Sequence, residues 1–346
     1  MLGLWSAWAR CYTAVEAFPP AKVPRMSEPT GPPRVSAIIP CYNGERCVAD
    51  AVESVLAQTE PRVEAIVVDD ASPDASARVL EPLLANPRVR LLRHEENRGI
   101  AAARNTGIRA SRAEFIGFLD QDDLWLPDKT ERQLAVFDSH GSDIGLVLSP
   151  VDTQDMDGTP LRVLQSMRPP ERLAEMSRTD ALRALYRGNF VTTASVLVRR
   201  SCFDELGLLD EAVRGGSDDY EFWLRLATRY RLMTTDGTTA VRRLHDTNVS
   251  SDRGRLIAGT LQFIGRFGTE HEELRDLVDP KLAWLHARLG SCHRNEGRYS
   301  QARASYRESL RHVFSARTFA LLVLAGFGPI GRMVFSARRG LLSDRP

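Results

Sequence analysis

Charge of one sign is the first thing missing: 46 Lys and Arg against 45 Asp and Glu leave a formal charge of +1 over 346 residues. Bulk electrostatics therefore names no polyanionic partner, and no nucleic acid is expected. Cysteine is scarce and unpatterned. Cys11, Cys41, Cys47, Cys202 and Cys292 are odd in number, far apart and without a C-x-x-C pair, which argues against a disulfide framework or a cysteine zinc site and fits a reducing cytosol. Long apolar runs are absent too. The tail run Phe319–Ile330 has twelve residues, where a bilayer span needs about 20. The start, Met1 to Ala9, lacks a basic stretch and a long apolar core, so a secretory signal is not expected.

What the chain does contain centres on Phe115-Ile116-Gly117-Phe118-Leu119-Asp120-Gln121-Asp122-Asp123-Leu124-Trp125. An apolar run of the kind that makes a strand buried on both faces ends in three carboxylates within four residues, which is costly unless something positive sits there. In an extended segment Asp120 and Asp122 would point to one side. A divalent cation carrying phosphates suits such a pair, because Mg²⁺ is usually held by one or two carboxylates plus substrate phosphate oxygens. The plainer alternative is a polar turn leading into the helix that Pro127 opens.

Residues 1–34 are proline-rich and are expected to lie outside the fold, with Met26 as an alternative start. Val35–Pro40 reads as a buried strand closed by the loop Cys41–Gly44, and Cys47–Gln58 as a helix with Val48, Ala51, Val52 and Val55 on one face. Val63–Val68 is a second strand ending in Asp69 and Asp70, and Val89–Leu92 a weaker third. Gly99 stands near a helix start, and Arg104 lies one turn into that helix, within reach of a phosphate. The strand Glu114–Leu119 and the helix Asp128–Phe137 follow. This alternation predicts βαβ units and a mostly parallel sheet. Ligands of open α/β sheets sit at the carboxyl ends of the strands, so Tyr42, Asn43, Asp69 and Asp70 are nucleotide-site candidates, with helix capping as the plainer task for Asp74.

Farther on, Ile144–Leu148 and Asn189–Val198 read as strands, with a polar, loop-rich stretch at 152–180 and a mobile segment around Gln165–Pro170. Gly215-Gly216-Ser217-Asp218-Asp219 turns into an amphipathic helix. The macrodipole explains one acid at a helix start. A second carboxylate, held by the helix beside flexible backbone, would make a general base. Arg242–Ser250 closes the first domain, and His245 is a candidate metal contact.

In their order and spacing, six pieces resemble a family 2 glycosyltransferase of GT-A fold. They are Ile39–Asn43, Val68–Asp74, Asn97–Asn105, Leu119–Asp123, Asp218–Phe222 and Arg242–His245. The resemblance, over residues 35–250, implies a Rossmann-like, mostly parallel α/β sheet flanked by helices as a domain of residues 35–255; residues 256–346 are expected as a separate helical C-terminal region. The resemblance also implies transfer of a sugar from a nucleoside-diphosphate donor to a saccharide or glycolipid acceptor, with inversion. On this pattern Pro40, Tyr42, Asn43, Asp69 and Asp70 hold the base and ribose, and Arg104 assists the nucleotide or its diphosphate. Asp120 and Asp122 form the D-x-D pair for Mg²⁺ or Mn²⁺, with Asp120 nearer the ribose. Asp219 is the general base, and His245 a further metal contact. Asp218 stands where the family often has Glu. Glycoside hydrolysis by paired carboxylates fits poorly, since it needs neither the acidic strand end nor the Tyr42-Asn43 loop. A catalytically silent nucleotide-sugar-binding scaffold is the other reading.

The tail is distinct. Residues 281–346 hold twelve Lys/Arg and three Asp/Glu. Leu289-Gly290, Tyr299, Ala302 and Tyr306 resemble one tetratricopeptide-type hairpin, too few repeats to stand alone. With Arg311, Arg317, Arg332, Arg338 and Arg339 around the apolar Phe319–Ile330, the tail is expected to contact the inner face of a membrane or a protein partner.

Overall fold

The computed structural model describes residues 31–161, 169–245, 248 and 252–328. The extension up to residue 30, the expected mobile residues Gln165 to Arg168, and Arg332, Arg338 and Arg339 lie outside these. In chain order the elements are β1 (Val35–Cys41), α1 (Val48–Leu56), β2 (Val63–Asp69), α2 (Ser76–Leu80), β3 (Val89–Arg93), α3 (Ile100–Ala110), β4 (Phe115–Phe118), β5 (Leu124–Trp125), α4 (Lys129–Ser139), β6 (Ile144–Leu148) and β7 (Val151–Asp155). There follow α5 (Arg178–Arg187), β8 (Leu197–Arg199), α6 (Ser201–Leu206), α7 (Asp218–Arg229), β9 (Arg231–Thr234), β10 (Ala240–Leu244), α8 (Arg253–Leu261), α9 (Ile264–Glu270), α10 (Arg275–Asn295), α11 (Tyr299–His312) and α12 (Ala316–Gly326).

Seven strands form the main sheet in the order β3-β2-β1-β4-β8-β6-β9, with β5, β10 and β7 in a second, smaller one. The strands β3, β2, β1 and β4 run parallel, and β8 is antiparallel to both of its neighbours. β4, the strand that carries the acidic end, is thus the middle one. All residues of β1 and β2 are buried, and side chains alternate between two cores: Ala37, Ile39, Ala65 and Val67 in one, Ile38, Ile66 and Val68 in the other. That is why these strands read as mostly apolar, with buried Ser36 donating to Glu64 at 2.6 Å as the polar exception ahead of Asp69. α1 buries Val48, Ala51, Val52 and Val55 as its spacing predicts. α3 lies so close on β1 that a Cβ on Gly107 would fall 2.4 Å from Ile38 Cγ2, and this close seat brings Arg104 over the carboxyl end of the sheet.

Two expectations need correction. The strand expected over 189–198 is only β8, because residues 193–195 form a 3₁₀ turn. Local bonds compete with the ladder there: Asn189 Oδ1 accepts from Val191 N at 3.0 Å and Ser195 Oγ donates to Thr192 O at 2.7 Å. The acidic end is likewise a turn and not an extended segment, with Asp123 N donating to Asp120 O at 3.0 Å. Asp120 and Asp122 therefore do not share a side by strand alternation.

Behind the sheet, Phe263, Ile264, Phe267, Leu274 and Leu285 of the helical region join the same buried cluster as Ile38 and Phe118. Tyr186 Oη donates to Ile264 O at 3.0 Å, and Lys281 Nζ to Arg187 O at 3.0 Å. α10 and α11 form a hairpin whose contact tolerates only glycine at 290, where a Cβ would meet the Tyr306 ring at 2.7 Å. Among the described residues no helix is long and apolar enough to cross a membrane.

Candidate active site

The loops after β1 and β2 are tied to each other. Asn43 N donates to Ser72 Oγ at 3.1 Å, Gly44 N to Ser76 Oγ at 2.8 Å and Glu45 N to Asp74 Oδ2 at 3.0 Å. Asp74 also accepts from Ser76 N at 3.0 Å, so it both supports the start of α2 and joins the loops. Among the described residues Asn43 (φ 55°) and Ala71 (φ 58°) are the non-glycine residues with positive φ. Both follow a strand at this edge. Backbone held in that region costs on the order of 1–3 kcal/mol and persists where surrounding bonds over-determine it, commonly at functional sites.

Tyr42, 45% exposed, is available to a ligand, whereas Pro40 is buried within β1. Gln121 clips this loop to the acidic turn: Tyr42 N donates to Gln121 Oε1 at 2.8 Å, and Gln121 Nε2 donates back to Tyr42 O at 3.0 Å. Sequence reading passed over Gln121 as the spacer of the D-x-D pair. Asp69 and Asp70 face inward. Asp69 accepts from Ser72 N at 2.9 Å and pairs with Arg93 at 3.2 Å. Asp70 accepts from His94 Nδ1 at 2.6 Å, Arg98 N at 2.9 Å and Gly99 N at 2.8 Å. The two acids, expected against the base and ribose, shape the turn and fix the start of α3.

Within the acidic turn each carboxylate has its own surroundings. Asp122 Oδ2 accepts from His245 Nε2 at 2.8 Å and from Asn248 Nδ2 at 2.6 Å. Buried Asp123 accepts from Arg243 N at 3.0 Å, and Arg243 reaches on to Asp50 at 2.8 Å. These bonds lock the turn to the end of β10, which is how His245, 123 residues away in sequence, reaches Asp122. Burial and the charge of Asp120 push the Asp122 carboxyl above its usual range, against the pull of His245. Burial, followed by Asp122 and Asp120, pushes Asp123 up further. Asp122 and Asp123 thus sit in an acidic cluster in which burial, more than any other cause, disfavours their charged forms. Among the described residues no three metal-type donors converge. Asp122 and His245, 2.8 Å apart, are two metal-type donors, and a cation held there would need ligand phosphates and water to complete its coordination.

Arg104 joins the two halves of the site. It is 3% exposed, and it donates through Nη2 to Asp120 Oδ1 at 2.8 Å and through Nη1 to Asp218 Oδ2 at 3.0 Å. Expected near the diphosphate, it lies buried between two carboxylates. Burial works against its charge, but Asp120, Asp218 and Asp219 outweigh that and hold its pKa above the ordinary value. Through this bridge the start of α7 is fixed beside the acidic turn. Asp218, 1% exposed, is spent on Arg104. The adjacent Asp219 is partly exposed, accepting from the Thr193 hydroxyl and from Tyr220 N. Burial, together with Asp218, pushes the Asp219 carboxyl up to about 6, with Arg104 pulling the other way. Thr193 sits on the 3₁₀ turn before β8, and buried Lys129 and Gln133 pin that turn by donating to Val196 O at 3.1 Å and Ser195 O at 2.7 Å. Neither Thr193 nor Lys129 carried a sequence signal, since Thr193 meets a carboxylate and Lys129 a backbone carbonyl that only folding brings near.

Residues 36–207 match the family described as Glycosyl transferase family 2. The putative teichuronic acid biosynthesis glycosyltransferase TuaG of Bacillus subtilis is 30% identical over 230 residues, 66% of this chain and 86% of that protein. The succinoglycan biosynthesis protein ExoO of Rhizobium meliloti is 34% identical over 196 residues, 54% of this chain and 53% of that one. An uncharacterized glycosyltransferase of Rickettsia felis is 31% identical, but the chain spans only 31% of its length. The chain thus covers about a third to a half of several curated relatives and most of TuaG. Among solved structures, the S. aureus TarS 1-349 fragment in complex with UDP-GlcNAc aligns with TM-score 0.62 at 19% identity, over 89% of this chain and 92% of that one. A mannosyltransferase of Pyrobaculum calidifontis in complex with GDP-Man and Mn²⁺ aligns with TM-score 0.56 at 19% identity, over 92% and 90%. These likenesses show the GT-A fold.

Proposed function

Because the chain belongs to glycosyltransferase family 2, we propose that it is an inverting transferase that moves a sugar from a nucleoside diphosphate to an acceptor hydroxyl in polysaccharide or glycoconjugate synthesis. Residues 35–255 carry the chemistry, and 256–346 form the accessory helical region. The observation that carries this reading is the Arg104 bridge, which holds the acidic turn and the α7 carboxylates in one site. TuaG and ExoO, named for teichuronic acid and succinoglycan biosynthesis, support the product class.

The geometry supports the following roles. Tyr42 and Asn43, on the strained loop clipped by Gln121, receive the base and ribose, with Pro40, Asp69 and Asp70 shaping that pocket from within. Asp120, partly exposed, lies toward the ribose, and Asp122 with His245 would hold Mg²⁺ or Mn²⁺. When bound, the cation stabilises the charge that develops on the departing diphosphate, by several kcal/mol. Asp219 takes the proton from the acceptor hydroxyl as that oxygen bonds to the anomeric carbon. The bond from that carbon to the diphosphate oxygen breaks on the opposite face, which gives inversion. Arg104 acts as a positioning residue through Asp120 and Asp218.

Calorimetric titration of UDP, GDP, CDP and dTDP into wild type and Asp122→Asn, each with and without Mn²⁺, tests the donor site. Metal-dependent binding of one nucleotide, lost in the variant, is the expected result and names the base. No binding of any of the four would make the silent scaffold the better reading. A pH series tests the base. Asp219 must be ionised to accept the proton, so kcat/KM is expected to rise with pH through an inflection at about 6 and then level off. A profile already flat from pH 5 upward would sink that assignment.

A further inference from the structure

The outward face of α12 is apolar from end to end. Phe319, Val323 and Phe327 follow one another at intervals of four and are 52%, 45% and 62% exposed. Phe314, just ahead of the helix, is 73% exposed, with its ring centroid 6.5 Å from that of Phe319. Ala316, Ala320 and Gly326 fill the rest of the exposed side, and Arg317 is its one charge. The opposite side seats Leu321 and Ala325 against Ala302 and Tyr306 of α11, so the helix is anchored and its aromatic face is held outward.

Exposure on this scale is uncommon for side chains with no partner. The three phenylalanines together expose on the order of 400 Å², about half of the roughly 800 Å² per partner that a stable protein interface buries. A lipid surface needs no such complementary area, because rings immersed among the acyl chains are covered on all sides. The sequence around this helix is mostly basic. From 298 to 346 there are nine Lys/Arg and two Asp/Glu, and Arg307 and Arg317 are exposed on α11 and α12. We propose that the α12 face, Phe314 with Phe319, Val323 and Phe327, is a docking surface for a membrane leaflet rich in anionic headgroups. The rings enter the interface while the surrounding arginines meet the headgroups. The helix lies in the plane of the membrane and does not cross it.

Flotation of the full chain with vesicles of phosphatidylcholine alone or mixed with phosphatidylglycerol tests this directly. Wild type is expected to float with the mixed vesicles, to stay behind with neutral ones, and to be released by salt. Phe319→Ser/Phe327→Ser is expected to abolish flotation, and Arg307→Gln/Arg317→Gln to weaken it. Both variants should keep wild-type melting temperature and nucleotide binding, since the altered side chains are exposed and outside the sugar-nucleotide site. Failure of wild type to float, or equal flotation of the phenylalanine variant, overturns the proposal. Sedimentation velocity without vesicles completes the test: a wild-type dimer converted to monomer by the phenylalanine variant would assign the face to a second copy of the chain.

Discussion

Asp219→Asn is expected to lower kcat by about 10²–10⁴-fold, the usual worth of a positioned general base, while leaving donor-nucleotide affinity unchanged. Asparagine keeps the shape of the side chain: its one oxygen can accept from Tyr220 N–H where Asp219 Oδ1 does, and its NH2, in place of Oδ2, can donate to a rotated Thr193 hydroxyl, but it cannot take a proton. Stability should move the other way. A carboxyl raised to about 6 in the folded chain from an ordinary 3.8 binds its proton more tightly folded than unfolded. Its contribution is therefore fully present below pH 3.8 and is lost as pH rises through 6. Above that pH the asparagine variant, free of repulsion from Asp218, is expected to melt at or above the wild-type temperature. Single-turnover rates, nucleotide calorimetry and melting curves measured together separate the roles. A fall in melting temperature matching the fall in rate would make Asp219 a structural residue.

Arg104→Met should have the largest effect on the fold. The guanidinium is buried between Asp120 and Asp218, and removing one partner of a buried pair strands charge without compensation, at a cost of about 3–5 kcal/mol. For a chain of this size that lowers the melting temperature by on the order of 10 °C. Arg104→Lys is expected to recover part of this, because one ammonium cannot span both carboxylates as the planar guanidinium does. Adding Asp218→Asn to Arg104→Met removes the most deeply buried stranded charge. The double variant should regain stability without regaining activity, since the start of α7 is no longer tied to the acidic turn. A double variant as active as wild type would show that the bridge positions nothing.

Much of the site was legible because its residues sit where a local rule puts them. A short strand that is apolar on nearly every residue is buried on both faces, so β1, β2 and β4 could be read from composition despite Ser36 and Glu64, and their carboxyl ends then pointed to Tyr42, Asn43 and Asp120. Asp219 stood out as the acid beyond what the helix dipole explains. The misreadings have local causes as well. Thr192, Asn189 and Ser195 satisfy their own backbone by short loops, which no periodicity reveals, so a 3₁₀ turn was read as strand. The D-x-D spacing suggested alternation along a strand, but the Asp123 N–H bond to Asp120 O closes a turn.

The amino-acid sequence by itself determined the α/β class, the parallel half of the sheet, and the family to which the chain belongs. These follow from hydrophobic period, strand ends and motif order, all of which are properties of neighbouring residues. Only the tertiary structure shows what surrounds each acid. Asp218 and Asp219 are adjacent and identical, and they are told apart by a buried arginine 114 residues away from Asp218, which takes one and leaves the other partly exposed. Asp69 and Asp70 are drawn inward by Arg93, His94 and the start of α3. A carboxylate's role is set by its burial and by the charges around it, and those come from chain segments that meet only when the protein folds.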